Sequence, residues 1–395
     1  MPGEFTRVYS AALRGVDAVE VELEVNETGP SGSGEMQAVT VIVGLPDTAV
    51  RESRDRVWTA IANSAFPGSL GGRTTVNLAP ADLKKEGPSF DLPMALGMIS
   101  NRVAGFDKSV FDRCTIVGEL ALDGGVRSVK GILSIALAAR SQGREEVIIP
   151  AENAEEASIV AGLRVVGVSS LQQAWHHLTG LQRMLPVRHR TIEEFRCDQT
   201  YDIDFSDVKG QHSVKRALEV AAAGGHNILM VGPPGTGKSM LSKRMATIMP
   251  PLTGEEAIET TRIHSICGLL DPKQAVLAHR PFRSPHHTIS DAGLLGGGTN
   301  PTPGEVSIAH NGVLFLDELP EFNRATLEVM RQPLEDGKVT ISRAAGSMTF
   351  PSRFLLIGSM NPCPCGFQRG RHEQERSRSS RRSGRHRPRP CSPWH

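Results

Sequence analysis

Residues 19–25 alternate strictly, Val-Glu-Val-Glu-Leu-Glu-Val, which predicts a strand with one face in a core and its glutamates in water. A loop signal rich in Gly, Ser and Pro occupies 26–34, and 38–43 reads as the next strand. Helical spacing follows near 49–63, a strand is expected at 74–78, and 88–100 and 133–142 carry helical periodicity. Short apolar runs at 146–149 and 163–166 return the pattern to strands, so residues 1–180 predict a mixed α/β domain of their own. From 181 to 205 the chain is charged and aperiodic around Arg188-His-Arg190, as expected of a linker. Helical periodicity resumes at Val214, Ala217, Leu218 and Ala221 and stops at Gly224-Gly225. The runs 226–231, 313–316 and 354–358 are apolar enough for buried parallel strands. Asn323 can cap a helix with Leu327, Met330 and Leu334 on its apolar face, and 338–343 and 347–350 alternate as the arms of a hairpin.

The chemistry lies at the ends of those strands. Gly232, Pro233, Pro234, Gly235, Thr236, Gly237, Lys238 and Ser239 follow the first apolar run and open a helix. The glycines let the backbone wrap closely enough for several N–H groups to face one phosphate, with the positive end of the helix behind them. Lys238 then reaches the β- and γ-phosphates, and Ser239 offers a hydroxyl to Mg²⁺. The second run ends in Asp317-Glu318, where α/β sheets bind ligands; Asp317 would hold Mg²⁺ through water and Glu318 would polarise an attacking water. The third run ends in Ser-Met-Asn361, and Asn361 can hold the γ-phosphate or that water. In this order the three motifs predict an ATPase core with ATP and Mg²⁺ as its small-molecule partners.

Charge and composition narrow the setting. The net charge is +1, but residues 369–395 contain nine Arg and two Glu, leaving 35 basic against 41 acidic residues before them. The body is mildly acidic and presents no global nucleic-acid surface. Aromatic residues are 5% of the chain, which argues against broad base-stacking platforms. No run approaches the roughly 18–20 apolar residues needed to span a bilayer, and the N-terminus lacks a signal-peptide pattern. Six scattered cysteines form no disulfide-like framework, so a cytoplasmic location is expected.

With these motifs in hand, the chain resembles an AAA+ ATPase of the magnesium-chelatase-like branch, the ComM or YifB family. Arg280-Pro-Phe-Arg-Ser-Pro-His-His-Thr-Ile-Ser290, the segment from Asn311 to Phe322, and Asn361-Pro-Cys-Pro-Cys-Gly366 carry the resemblance, which covers about 1–368. It implies an AAA+ core over 206–368, with a hairpin at 338–350 and an insertion near 265–300 that face a central pore. It further implies a homo-hexameric, DNA-stimulated ring motor acting on single-stranded or branched DNA, in branch migration during natural transformation. A protein-remodelling or metal-chelatase motor is the alternative, as is a remnant that binds ATP without turnover. The basic hairpin residues Lys338 and Arg343 favour DNA.

The first domain resembles the ribosomal S5 domain-2-like fold in its Lon-protease version, Lys84-Lys-Glu-Gly-Pro-Ser89 being similar to Lon's nucleophile segment. On that alignment Leu133 stands where a lysine base is required, with Lys130 three residues earlier, so no peptidase activity is expected. The tail departs from the family. Residues 369–395 are rich in Arg, Ser and Pro without apolar period, a disordered composition resembling a truncation or an out-of-frame segment. Cys363 and Cys365 lack a downstream pair at zinc spacing, since only Cys391 follows, and His286-His287 reads as part of a polar insertion loop.

Overall fold

A computed structural model describes residues 4–28, 39–66, 73–198, 201–271, 275–298, 301–343 and 346–362. The tail at 369–395 and Cys363, Cys365 and Cys391 lie outside the described residues. The chain divides into two compact units. One lies within Met1–Gln199 together with Ala257–Ala278, the other within Thr200–Glu256 together with residues from His279 onward.

The first unit is built on β1 (Glu4–Arg14), β2 (Asp17–Thr28), β3 (Val39–Val43) and β4 (Arg73–Ala79), in the spatial order β1-β2-β4-β3. β1, β2 and β4 pair antiparallel and β3 pairs parallel to β4. The alternation in β2 does what it predicts: Val21, Leu23 and Val25 are buried, while Glu20, Glu22 and Glu24 keep access to water. Helices Thr48–Asn63 and Asp91–Ser100 cover the sheet. The first begins where the Asp47 side chain accepts the Val50 N–H at 2.8 Å, and the second is buried along its whole length. A second, parallel sheet joins β5 (Cys114–Ile116) to β8 (Glu146–Pro150) and β9 (Arg164–Val168). Between them lie the two-residue pair β6 (Glu119–Leu120) and β7 (Val126–Arg127) and the helix Ile132–Ser141.

Two segments depart from the sequence expectation. Residues 181–198 are aperiodic but not free: the Val187 N–H donates to Val165 O at 2.8 Å, His189 Nδ1 lies 2.7 Å from Ser158 O, and Ile192 and Phe195 are buried. Residues 257–278, which sequence order assigns to the ATPase core, pack with the first unit. There Ser265 takes the Gly131 N–H at 2.9 Å and donates to the buried Glu156 carboxylate. Arg262 likewise donates to Val16 O at 2.7 Å.

The second unit is an α/β P-loop fold around a parallel sheet. Its strands are β10 (Ile228–Val231), β11 (Phe282–Arg283), β14 (Val313–Leu316) and β17 (Leu355–Met360), in the order β10-β17-β14-β11. β14 is buried throughout, as its unbroken Val-Leu-Phe-Leu run predicts. Smaller pairs are β12 (Gly296–Gly297) with β13 (Thr302–Pro303), and the hairpin of β15 (Lys338–Arg343) with β16 (Gly346–Pro351). The helix after Asn323 is shorter than its periodicity predicts. It runs Arg324–Val329 and breaks, and a second segment, Arg331–Asp336, leaves Leu334 38% exposed. Pro333 is the reason: it has no N–H for the carbonyl one turn back, and its ring crowds that position.

Candidate active site

Three adjacent parallel strands end on the same edge, and each delivers one of the expected motifs. The loop 232–237 leaves β10, Asn361 follows β17, and Asp317-Glu318 follows β14. Because β17 lies between the other two, its end bridges the loop and the carboxylates. Together they surround a cleft of about 350 Å³ lined by 234–240, Asp317, Glu318, Ser359, Met360 and Asn361.

The loop is held by its own polar atoms. The Gly232 N–H donates to Met360 O at 3.2 Å, and the Thr236 hydroxyl to Pro233 O at 2.9 Å. Gly235 and Gly237 have φ of 79° and 85°, a left-handed conformation that a β-carbon disfavours, so the turn into the helix Lys238–Lys243 requires glycine. Lys238 Nζ donates to Gly232 O at 2.6 Å, Pro233 O at 3.1 Å and Asn361 Oδ1 at 3.1 Å. All three acceptors are neutral, so a phosphate oxygen arriving in the cleft would compete for the ammonium with full charge assistance.

Asp317 is the centre of the polar network. Its Oδ2 accepts from Ser239 Oγ at 2.7 Å, and its Oδ1 from Ser359 Oγ at 2.6 Å and the Glu318 N–H at 3.0 Å. Burial pushes the Asp317 carboxyl up, but the Ser359 and Ser239 hydroxyls, the Glu318 amide and the Lys238 charge outweigh it and hold it below the usual carboxylate range. A carboxylate whose ionised form is favoured, bonded to the loop hydroxyl, is the hard oxygen donor pair that Mg²⁺ takes. Here Asp317 and Ser239 would hold the ion, which would neutralise phosphate charge. Glu318 is exposed, with its backbone at φ 51°.

Two neighbours were not singled out by sequence. Ser359 stands one strand over from Asp317, and only the β14–β17 pairing brings it there. Gln211, itself at φ 55°, donates Nε2 to Thr236 O at 3.2 Å and braces the phosphate loop from a distant segment. Elsewhere, Lys338 is exposed on the hairpin, and the side chain of Arg343 lies outside those described. In the first unit, Leu133 is fully buried with its N–H on Glu156 Oε1 at 2.9 Å. Lys130 lines a cavity with Glu152, Glu156 and Ser265 that Ser89 does not line. Among the described residues no group of three or more His, Cys, Asp or Glu is placed to hold a metal, and no helix is long and apolar enough to cross a membrane.

The family model for magnesium chelatase, subunit ChlI, matches residues 204–389, and a second model, for subunit ChlI of Mg-chelatase, matches 31–153. An uncharacterized protein YifB of Salmonella typhimurium is 43% identical over 371 residues, covering 93% of this chain and 70% of that protein. Competence protein ComM of Haemophilus influenzae is 44% identical over 374 residues, with the same 93% and 70%. The chain belongs to the YifB/ComM family of magnesium-chelatase-like proteins. A further relative, Lon protease 2 of Bacillus subtilis, is 26% identical over 210 residues, or 47% of this chain and 37% of that protein. Membership in this AAA+ family supports an ATPase motor and implies the use of nucleotide and Mg²⁺.

Proposed function

We propose that this YifB/ComM-family protein hydrolyses ATP at the cleft and uses it, as a homo-hexamer in the cytoplasm, to drive branch migration on single-stranded or branched DNA. The convergence of Lys238, Ser239 and Asp317 at one sheet edge, with Glu318 beside them, carries the hydrolytic part of the reading. Lys238 and the loop N–H groups bind the phosphates, and Asp317 with Ser239 holds Mg²⁺. Glu318 orients and polarises the attacking water, while Asn361 holds the γ-phosphate end from the neighbouring strand tip.

The DNA part rests on two supports. One is the relative named competence protein. The other is the hairpin 338–351, whose outward face carries Lys338 and the facing hydroxyl pairs Thr340–Thr349 at 3.0 Å and Ser342–Ser347 at 3.1 Å. Such a face offers a cation and hydroxyl donors to a phosphate backbone without needing aromatic stacking. The test is ATP turnover with and without single-stranded and four-way-junction DNA. Stimulation by either DNA, reduced in Lys338→Ala, is expected; a rate indifferent to DNA but raised by an unfolded protein would shift the assignment to protein remodelling.

A further inference from the structure

We infer that His287 is a positioning residue for Glu318, holding the carboxylate that the reading above assigns to water activation; the inference rests on that reading. The backbone of Glu318 is left-handed at φ 51° and ψ 49°, a conformation that a β-carbon disfavours and that concentrates at functional sites. Its N–H is tied to Asp317 Oδ1, so the chain is fixed at this residue. The side chain is not: at 53% exposure, packing alone does not choose its direction.

His287 is placed to choose it. Its Nδ1 lies 3.7 Å from Glu318 Oε2, a small side-chain adjustment from a hydrogen bond. The imidazole is itself clamped, with the His286 ring against it at 4.1 Å and the edge of Phe322 at 6.4 Å and 77°. His286 is tied in turn to Thr288 Oγ1 at 2.9 Å. The loop carrying both histidines is anchored at each end. Arg283 pairs with Glu305 through two 2.7 Å contacts before it, and Asp291 accepts from Thr326 Oγ1 at 2.6 Å after it. Glu318 lines the cleft and His287 does not, so the imidazole can steer the Oε2 oxygen and leave the other oxygen for water.

The experiment combines single-turnover ATP hydrolysis, nucleotide affinity and NMR of the full chain labelled at histidine Cε1. His287→Ala is expected to slow hydrolysis about 10–100-fold, as misplacement of a catalytic group does, with ATP affinity unchanged. His287→Asn, whose amide nitrogen falls near the position of Nδ1, should restore most of the rate. The resonance missing in His287→Asn identifies His287, and Glu318→Gln should move it, a readout that needs no turnover. An unmoved resonance overturns the inference, as does equal loss in the Ala and Asn variants or a wild-type rate in His287→Ala. A wild-type rate in Glu318→Gln would instead overturn the underlying reading of Glu318.

Discussion

The Ser239 hydroxyl donates to Asp317 Oδ2 at 2.7 Å, joining residues 78 positions apart across the sheet edge. The bond brings together the two residues that would hold a divalent cation, in a cleft where the carboxyl is held below its usual range. Asp317→Asn should therefore lower ATP affinity in Mg²⁺ by roughly 10–100-fold, the equivalent of one charge-assisted contact, and change it little in EDTA. Calorimetry under both conditions checks this. Equal loss with and without Mg²⁺ would assign Asp317 a purely structural role.

Lys238→Ala should abolish measurable ATP binding. The ammonium is the one charge contributed by the loop 232–239 itself, and the surrounding carbonyls of Gly232 and Pro233 cannot replace it toward a phosphate. Calorimetric affinities equal to wild type would refute the assignment of the cleft.

Glu318→Gln should bind ATP with near-wild-type affinity and lose hydrolysis by at least about 100-fold, because the amide keeps the shape but cannot polarise water as a carboxylate does. Phosphate release after mixing with radiolabelled ATP reads the outcome; turnover at the wild-type rate would remove Glu318 from the catalytic role.

Ser89 should support no proteolysis. Leu133, which the Lon resemblance sets in the place of a lysine base, is fully buried, and the Lys85 amine, also buried, donates to the Pro80 carbonyl. Incubation with unfolded casein should yield no fragments; cleavage that disappears in Ser89→Ala would overturn this.

Cys114 should resist thiol reagents in the folded protein while the exposed Cys197 reacts. Burial, with the Glu146 charge adding to it, pushes the Cys114 thiol from 9.0 up to about 12. Since the unfolded chain would lose this proton first, the group is neutral to stability at pH 7 and lowers it only as pH rises from about 9 towards 12. Peptide mapping after brief alkylation at pH 8 tests the reactivity, and denaturant midpoints between pH 8 and 10.5 test the sign.

Much was legible in the sequence because its signal is local. The alternation of β2, the unbroken run of β14 and the glycine spacing of 232–239 each follow from what a few consecutive residues can do in a pleat, a buried strand or a tight turn. β1 carries no such local signal, for the converse reason. Its inward face includes Thr6 and Ser10, which breaks the apolar pattern, and Thr6 is tolerated there because its hydroxyl donates to Asn101 Oδ1 at 2.6 Å, 95 residues away. On the face after Asn323, Met330 is buried as its periodicity predicts, and only Leu334 turns out to water, because Pro333 interrupts the helix.

By itself the sequence determined that the chain carries a phosphate loop, a strand-end carboxylate pair and a third polar strand tip, since these are properties of short contiguous segments. Which groups meet was decided only by the tertiary structure. The order β10-β17-β14 sets Ser359 against Asp317 and Asn361 against Lys238, and the anchored loop after β11 sets His287 beside Glu318. Strand order and loop anchoring come from burying whole faces of distant elements against one another, a balance summed over the fold that no local window of residues contains.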